Sequence, residues 1–111
     1  MNPFVKVADV SEFVSRRSKR VTVNDVDIVL FAVDGQFFAV RNMCPHQHFS
    51  NLHQGMLNGR EITCPMHGWT FDLATGNATI GGGRLKRYGV KLVGSEIHIE
   101  SPDDEPEWAR T

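Results

Sequence analysis

The stretch Asp27-Ile28-Val29-Leu30-Phe31-Ala32-Val33-Asp34-Gly35-Gln36-Phe37-Phe38-Ala39-Val40 decides the fold. Two runs rich in β-branched and aromatic residues flank an Asp-Gly pair, which predicts a hairpin of strands 27–33 and 36–40. Asp and Gly both tolerate the positive φ that a two-residue turn between twisted strands demands. Downstream, Leu57 and Ile62-Thr63 flank Asn58-Gly59, and Gly94-Ser95 separates a run at 88–93 from another at 96–100. Helical periodicity is missing, and the segment 10–14 has room for one turn. The expectation is an all-β domain of short antiparallel strands and hairpins. Gly81-Gly82-Gly83 is too pliant for a strand interior and reads as a surface loop. Residues 101–111, with Pro102, Pro106 and several acids, read as a mobile acidic tail. No repeat, linker or second domain is visible, so residues 1–111 are expected to form one domain.

Composition narrows the function classes. The 111 residues suit one modest core, and 41% hydrophobic with 23% charged residues excludes global disorder. A net charge of −1 gives no bulk attraction to nucleic acid or an anionic membrane. No apolar run approaches the roughly 20 residues that span a bilayer. The start, Met1-Asn2-Pro3-Phe4-Val5-Lys6, lacks the basic flank and apolar stretch of a secretory signal, so a cytoplasmic location is expected. Neither a nucleophile–base pair nor a phosphate loop is present, and the chain is not expected to be an enzyme by itself. The two cysteines, Cys44 and Cys64, would make a poor disulfide framework. With His46, His48, His53 and His67 close by, they read better as metal ligands.

Two segments carry the chemistry: Cys44-Pro45-His46 and Cys64-Pro65-Met66-His67. The pattern is C-x-H, a spacer over residues 47–63, then C-x-x-H. Each segment offers one thiolate and one imidazole on a short loop. This pattern resembles the Rieske iron–sulfur family, whose second loop typically reads C-P-x-H-G, as Cys64-Pro65-Met66-His67-Gly68 does. The resemblance covers about a quarter of the chain. It implies a Rieske-type fold with one [2Fe–2S] cluster held between two loops at one tip. By it, Cys44 and Cys64 bind one iron, and His46 and His67 bind the other. A structural zinc site would use the same residue types, but its familiar spacings group cysteines with cysteines and histidines with histidines. Here they are interleaved, one of each per loop, as a cluster with two inequivalent irons requires.

The resemblance further implies a soluble one-electron carrier passing electrons from an NAD(P)H-dependent flavoprotein reductase to a terminal oxygenase or reductase. A small subunit bound permanently to a larger enzyme, as in nitrite reductases, is the alternative within the same cofactor reading. Respiratory members place a Ser after the second loop's His-Gly and a Tyr two positions later, where hydroxyls donate to the cluster. Here Trp69 and Phe71 stand there, so the potential is expected near the low end of the Rieske range, roughly −150 mV. The extra disulfide-forming cysteines of that branch are absent too, which favours the carriers of ring-hydroxylating oxygenases. Two departures from those carriers stand out: His48 occupies a usual Gly position, and Gly81-Gly82-Gly83 replaces a proline-containing loop.

Several residues have two readings. His48 and His53 are redox-linked or docking groups, or simply solvated. Trp69 covers the cluster or packs the core at a strand start. His98, between Ile97 and Ile99, should face solvent. Arg16-Arg17-Ser18-Lys19-Arg20 steers an acidic partner or forms a solvated loop face. The acids Asp103, Asp104, Glu105 and Glu107 keep the chain soluble.

Overall fold

The computed structural model describes residues 3–43, 52–65 and 68–102, and the statements below concern those residues. They form eleven strands and two 3-10 turns. The strands are β1 (Phe4–Asp9), β2 (Ser18–Val23), β3 (Val26–Val33), β4 (Gln36–Arg41), β5 (Met56–Asn58), β6 (Glu61–Thr63), β7 (Thr70–Asp72), β8 (Ala78–Ile80), β9 (Arg87–Tyr88), β10 (Val90–Val93) and β11 (Glu96–Glu100). They build three antiparallel sheets, ordered β1-β11-β10, β2-β3-β4-β9 and β5-β6-β7-β8. Helix is confined to one turn at Val10–Phe13 and another at Leu52–Gln54.

The apolar run at 27–40 forms the centre. Asp34 and Gly35, at φ 50° and 80°, connect β3 to β4 with Val33 opposite Gln36, as expected. β3 shows little polar–apolar alternation because both of its faces are covered. Val29, Phe31 and Val33 enter one core with Val40, Leu52, Ile62, Cys64, Phe71, Leu73 and Leu85. Val26, Ile28 and Leu30 enter a second core with Ala8, Ala39, Tyr88, Ile97 and Ile99. The central sheet therefore separates the β5–β8 sheet, whose β6–β7 connection carries Cys64, from the β1-β11-β10 sheet.

Several local features differ from the sequence expectation. β2 and β3 form a hairpin that the sequence reading missed, closed by Asn24 and Asp25 at φ 52° and 63° with Val23 opposite Val26. The basic run is not all loop: Ser18-Lys19-Arg20 opens β2, Lys19 Nζ donates to Glu12 Oε1 at 2.7 Å, and Arg20 pairs with Asp27. The second tight turn is centred on Gly59-Arg60, one residue later than expected, with Asn58 opposite Glu61. The run 88–93 is two strands: Tyr88 pairs with Ala39 in the central sheet, and β10 pairs with β11. Gly89 makes the crossing; a Cβ there would sit 3.3 Å from the Phe4 ring. His98 lies on the outward side of β11 but is half-buried, with Nε2 3.1 Å from Glu96 Oε1. Ser101 and Pro102 are buried and tied down, the Ser101 N–H donating to Pro3 O at 2.9 Å and Asn24 Nδ2 to Pro102 O at 3.4 Å. The rest of the expected acidic tail, 103–111, lies outside the described residues.

Candidate metal centre

The second loop grows out of the β6–β7 hairpin. Thr63 stands opposite Thr70, and their hydroxyls are 3.0 Å apart. The Thr70 hydroxyl also donates to Gly68 O at 3.3 Å. The Cys64 N–H donates to Trp69 O at 2.7 Å, which ties the loop's two ends together. Gly68, at φ 70°, supplies the left-handed residue needed to turn back. Both ends of the loop are thus fixed by the hairpin beneath it.

Cys64 is a thiol rather than half of a disulfide, and it is only 1% exposed. A thiolate in such apolar surroundings requires a strong electrostatic partner, which a metal supplies. The buried sulfur and the closed loop therefore fit an iron ligand. Cys44, His46 and His67 lie outside the described residues, as does His48, so the structure places one of the four expected ligands.

The base of the first loop is described on both sides. Leaving β4, the N–H groups of Arg41, Asn42 and Met43 donate to Lys86 O, Asp27 O and Arg41 O at 2.8–2.9 Å. The chain returns at Leu52, fully buried in the same core as Cys64. Gly55 then packs flush on β6: a Cβ there would lie 2.4 Å from Thr63 O, the residue before Cys64. The return of the first loop is thereby pressed against the root of the second.

Trp69 is half-buried against the Cys64 core, and its indole face is covered by the glycine run. A Cβ on Gly81 would fall 2.3 Å from Trp69 Cδ2, and Gly82 also lies on the ring. Gly81-Gly82-Gly83 is thus a surface loop held against an aromatic face, and Trp69 packs both core and loop. Phe71 is fully buried and points into the core. His53 is half-buried, with Nδ1 2.8 Å from Asn42 Nδ2 and its backbone N–H donating to Asn42 Oδ1 at 2.7 Å. The sequence reading offered His53 as a solvated or docking residue and passed over Asn42. The only cue was an amide two residues before a ligand candidate.

A profile of the Rieske [2Fe–2S] domain matches residues 3–84, a span that includes both Cys/His segments. The ferredoxin component of the naphthalene 1,2-dioxygenase system of Pseudomonas aeruginosa is 37% identical over 82 residues, 72% of this chain and 78% of that one. The 3-phenylpropionate/cinnamic acid dioxygenase ferredoxin subunit of Shigella boydii is 33% identical over 102 residues, 90% of this chain and 92% of the relative. Among solved structures, the ferredoxin complexed with oxygenase in carbazole 1,9a-dioxygenase superposes with a TM-score of 0.81 at 27% identity, covering 95% of this chain and all of that one. A buried thiol on a hairpin loop, the three-sheet architecture and these likenesses converge: the chain belongs to the Rieske [2Fe–2S] family.

Proposed function

We propose that Cys44 and Cys64 hold one iron of the [2Fe–2S] cluster and His46 and His67 the other. The chain is a one-electron carrier rather than an enzyme, as its ferredoxin relatives in dioxygenase systems are. When bound, the cluster supplies a site that gains and loses a single electron, with two imidazoles in place of two thiolates raising its potential above that of all-cysteine ferredoxins. The chain's own residues tie the Cys64 loop shut, bury Cys64 and cover Trp69. The observation that carries the ligand assignment is the buried Cys64 thiol on a loop tied shut at 2.7 Å.

The partner reading rests on the relatives. One of the similar structures is an oxygenase–ferredoxin complex, and a terminal oxygenase is the electron acceptor proposed here. The donor is proposed to be a flavoprotein: a nicotinamide gives up a hydride, two electrons at once, and a one-electron carrier needs a flavin to divide the pair. No helix among the described residues is long and apolar enough to cross a membrane, and the proposed location is the cytoplasm. The domain is proposed to be single, residues 1–111.

The test is absorption and low-temperature EPR of the purified protein before and after dithionite, with iron counted per chain. A red-brown protein with two irons, EPR-active only when reduced and with a low average g-value, is expected. Replacing any of Cys44, His46, Cys64 or His67 by Ala should abolish that signal. A colourless protein holding one zinc refutes the assignment.

A further inference from the structure

Asn42 is fully buried, stands two residues before Cys44, and meets His53 on the returning side of the same loop. Its Nδ2 donates to Asp27 Oδ2 at 3.2 Å and lies 2.8 Å from His53 Nδ1. Its Oδ1 accepts from the His53 N–H at 2.7 Å. Asp27 is gripped in turn by Arg20, whose Nε and Nη2 donate to its two oxygens at 2.9 and 2.7 Å.

The contacts with Asp27 and with the His53 N–H orient the amide. A carboxylate cannot donate, so the Asn42 atom facing Asp27 is the nitrogen; a backbone N–H cannot accept, so the atom facing it is the oxygen. The group presented to His53 Nδ1 is then an N–H, and Nδ1 must offer its lone pair, leaving the ring hydrogen on Nε2. A flipped amide would lose both other bonds.

We propose that Asn42 is a positioning residue: its clasp on His53 joins the two ends of the first loop and thereby holds Cys44 and His46 in place for the cluster. The inference rests on the ligand assignment proposed above. Asp27 and Arg20 act as the backstop that orients the amide.

Three readouts on the anaerobic, oxidised holoprotein test this. They are ¹⁵N NMR of the His53 ring, hydrogen exchange at the His53 amide, and the rate of iron release to a chelator. The native protein should show Nδ1 bare, Nε2 protonated and a protected His53 amide. Asn42→Leu removes these three side-chain bonds and should release iron about 10- to 100-fold faster, with the amides of β3 and β11 still protected. Asn42→Asp alone, which sets two carboxylates side by side, should behave likewise. Arg20 Nη2 donates to the same Asp27 oxygen that faces Asn42, so an amide nitrogen at that place needs the arginine removed. The triple variant Arg20→Leu/Asp27→Asn/Asn42→Asp rebuilds the clasp in reverse. The amide introduced at position 27 donates to the carboxylate introduced at position 42. That carboxylate accepts from the His53 N–H and from a ring hydrogen now on Nδ1. Iron release should return to within about threefold of native, and the ring pattern should invert.

Unchanged iron release in Asn42→Leu despite an open His53 amide overturns the proposal, as does a triple variant that releases iron no more slowly than Arg20→Leu/Asn42→Asp. Faster exchange at every amide also overturns it, since Asn42 would then support the whole fold. If Asn42→Leu does not fold, the triple variant and the native ring spectrum still decide. A native protein that binds no iron, yet shows the Nε2–H ring and protected amide, overturns the ligand assignment instead and leaves the clasp as a loop-closing contact.

Discussion

Gly81→Ala combines two penalties whose separation can be measured. Gly81 sits at φ 93°, where an L side chain meets its own backbone, costing about 1–2 kcal/mol. The added methyl would stand 2.3, 2.6 and 2.8 Å from Trp69 Cδ2, Cγ and Cε2, so the indole or the loop must move. Overpacking of this kind costs about 1–3 kcal/mol. The sum is roughly 2–5 kcal/mol, or a fall in Tm of about 8–20 °C at roughly 4 °C per kcal/mol for a chain of this size. Trp69→Leu removes the ring and with it the second penalty. In that background Gly81→Ala should cost only the backbone part, about 1–2 kcal/mol, leaving a coupling of about 1–3 kcal/mol. Urea titrations of the four anaerobic holoproteins, followed by far-UV circular dichroism, give that coupling. Additivity within about 0.5 kcal/mol would show that the ring and the glycine do not constrain each other, and the reading of the glycine run as a cover for Trp69 would have to be dropped.

Other outcomes follow from the same geometry. Phe71→Tyr adds a hydroxyl in the core that contains Cys64; if it reaches a cluster sulfur, film voltammetry should show the midpoint rising by roughly 65–130 mV from a native value near −150 mV, the equivalent of ~1.5–3 kcal/mol. Gly55→Ala drives a methyl into Thr63 O and should part the first loop from the root of the second, so cluster occupancy after reconstitution should fall well below native while circular dichroism of the strands persists. The Asp9 carboxyl is held below its ordinary pKa chiefly by the Ser11 N–H, with the Ser11 hydroxyl next, and Glu12 is held below its own chiefly by Lys19. Both contribute stability that is present above the unfolded-state values of about 4 and lost as pH falls through the lower folded-state values. Asp9→Asn should therefore be less stable than native at pH 7, and the gap should narrow on acidification below about pH 4; a gap constant with pH would refute the assignment.

What the sequence revealed was local. The Asp34-Gly35 hairpin was legible because turn chemistry and flanking apolar runs agree within a few residues, and the family because the two Cys/His segments resemble its motif. β1, with the alternating Phe4-Val5-Lys6-Val7-Ala8, was passed over because a short edge strand pairing with distant β11 carries no turn signal of its own. The Asn24-Asp25 turn was passed over because the strand before it, Ser18–Val23, opens with the basic residues that read as a loop face or a steering patch. The switch of sheets at Gly89 depends on Phe4, which no sequence window centred on Tyr88 contains. Near the candidate site the misses share one cause. Asn42 with His53, Gly55 with Thr63, and Gly81 with Trp69 are contacts between segments distant in the chain, and each appears only when the sheets are assembled.

β3 hands its alternate side chains to two different interiors. A substitution at Val29 or Phe31 is felt on the side of the Cys64 loop, and one at Ile28 or Leu30 on the side of β1 and β11. Selection can therefore retune one half residue by residue while the other keeps its sequence. Yet neither interior survives if that strand leaves the sheet, so the two should be lost in a single event. Related carriers can in this way diverge around the redox tip over an unaltered base, and still break down as one body when they fail.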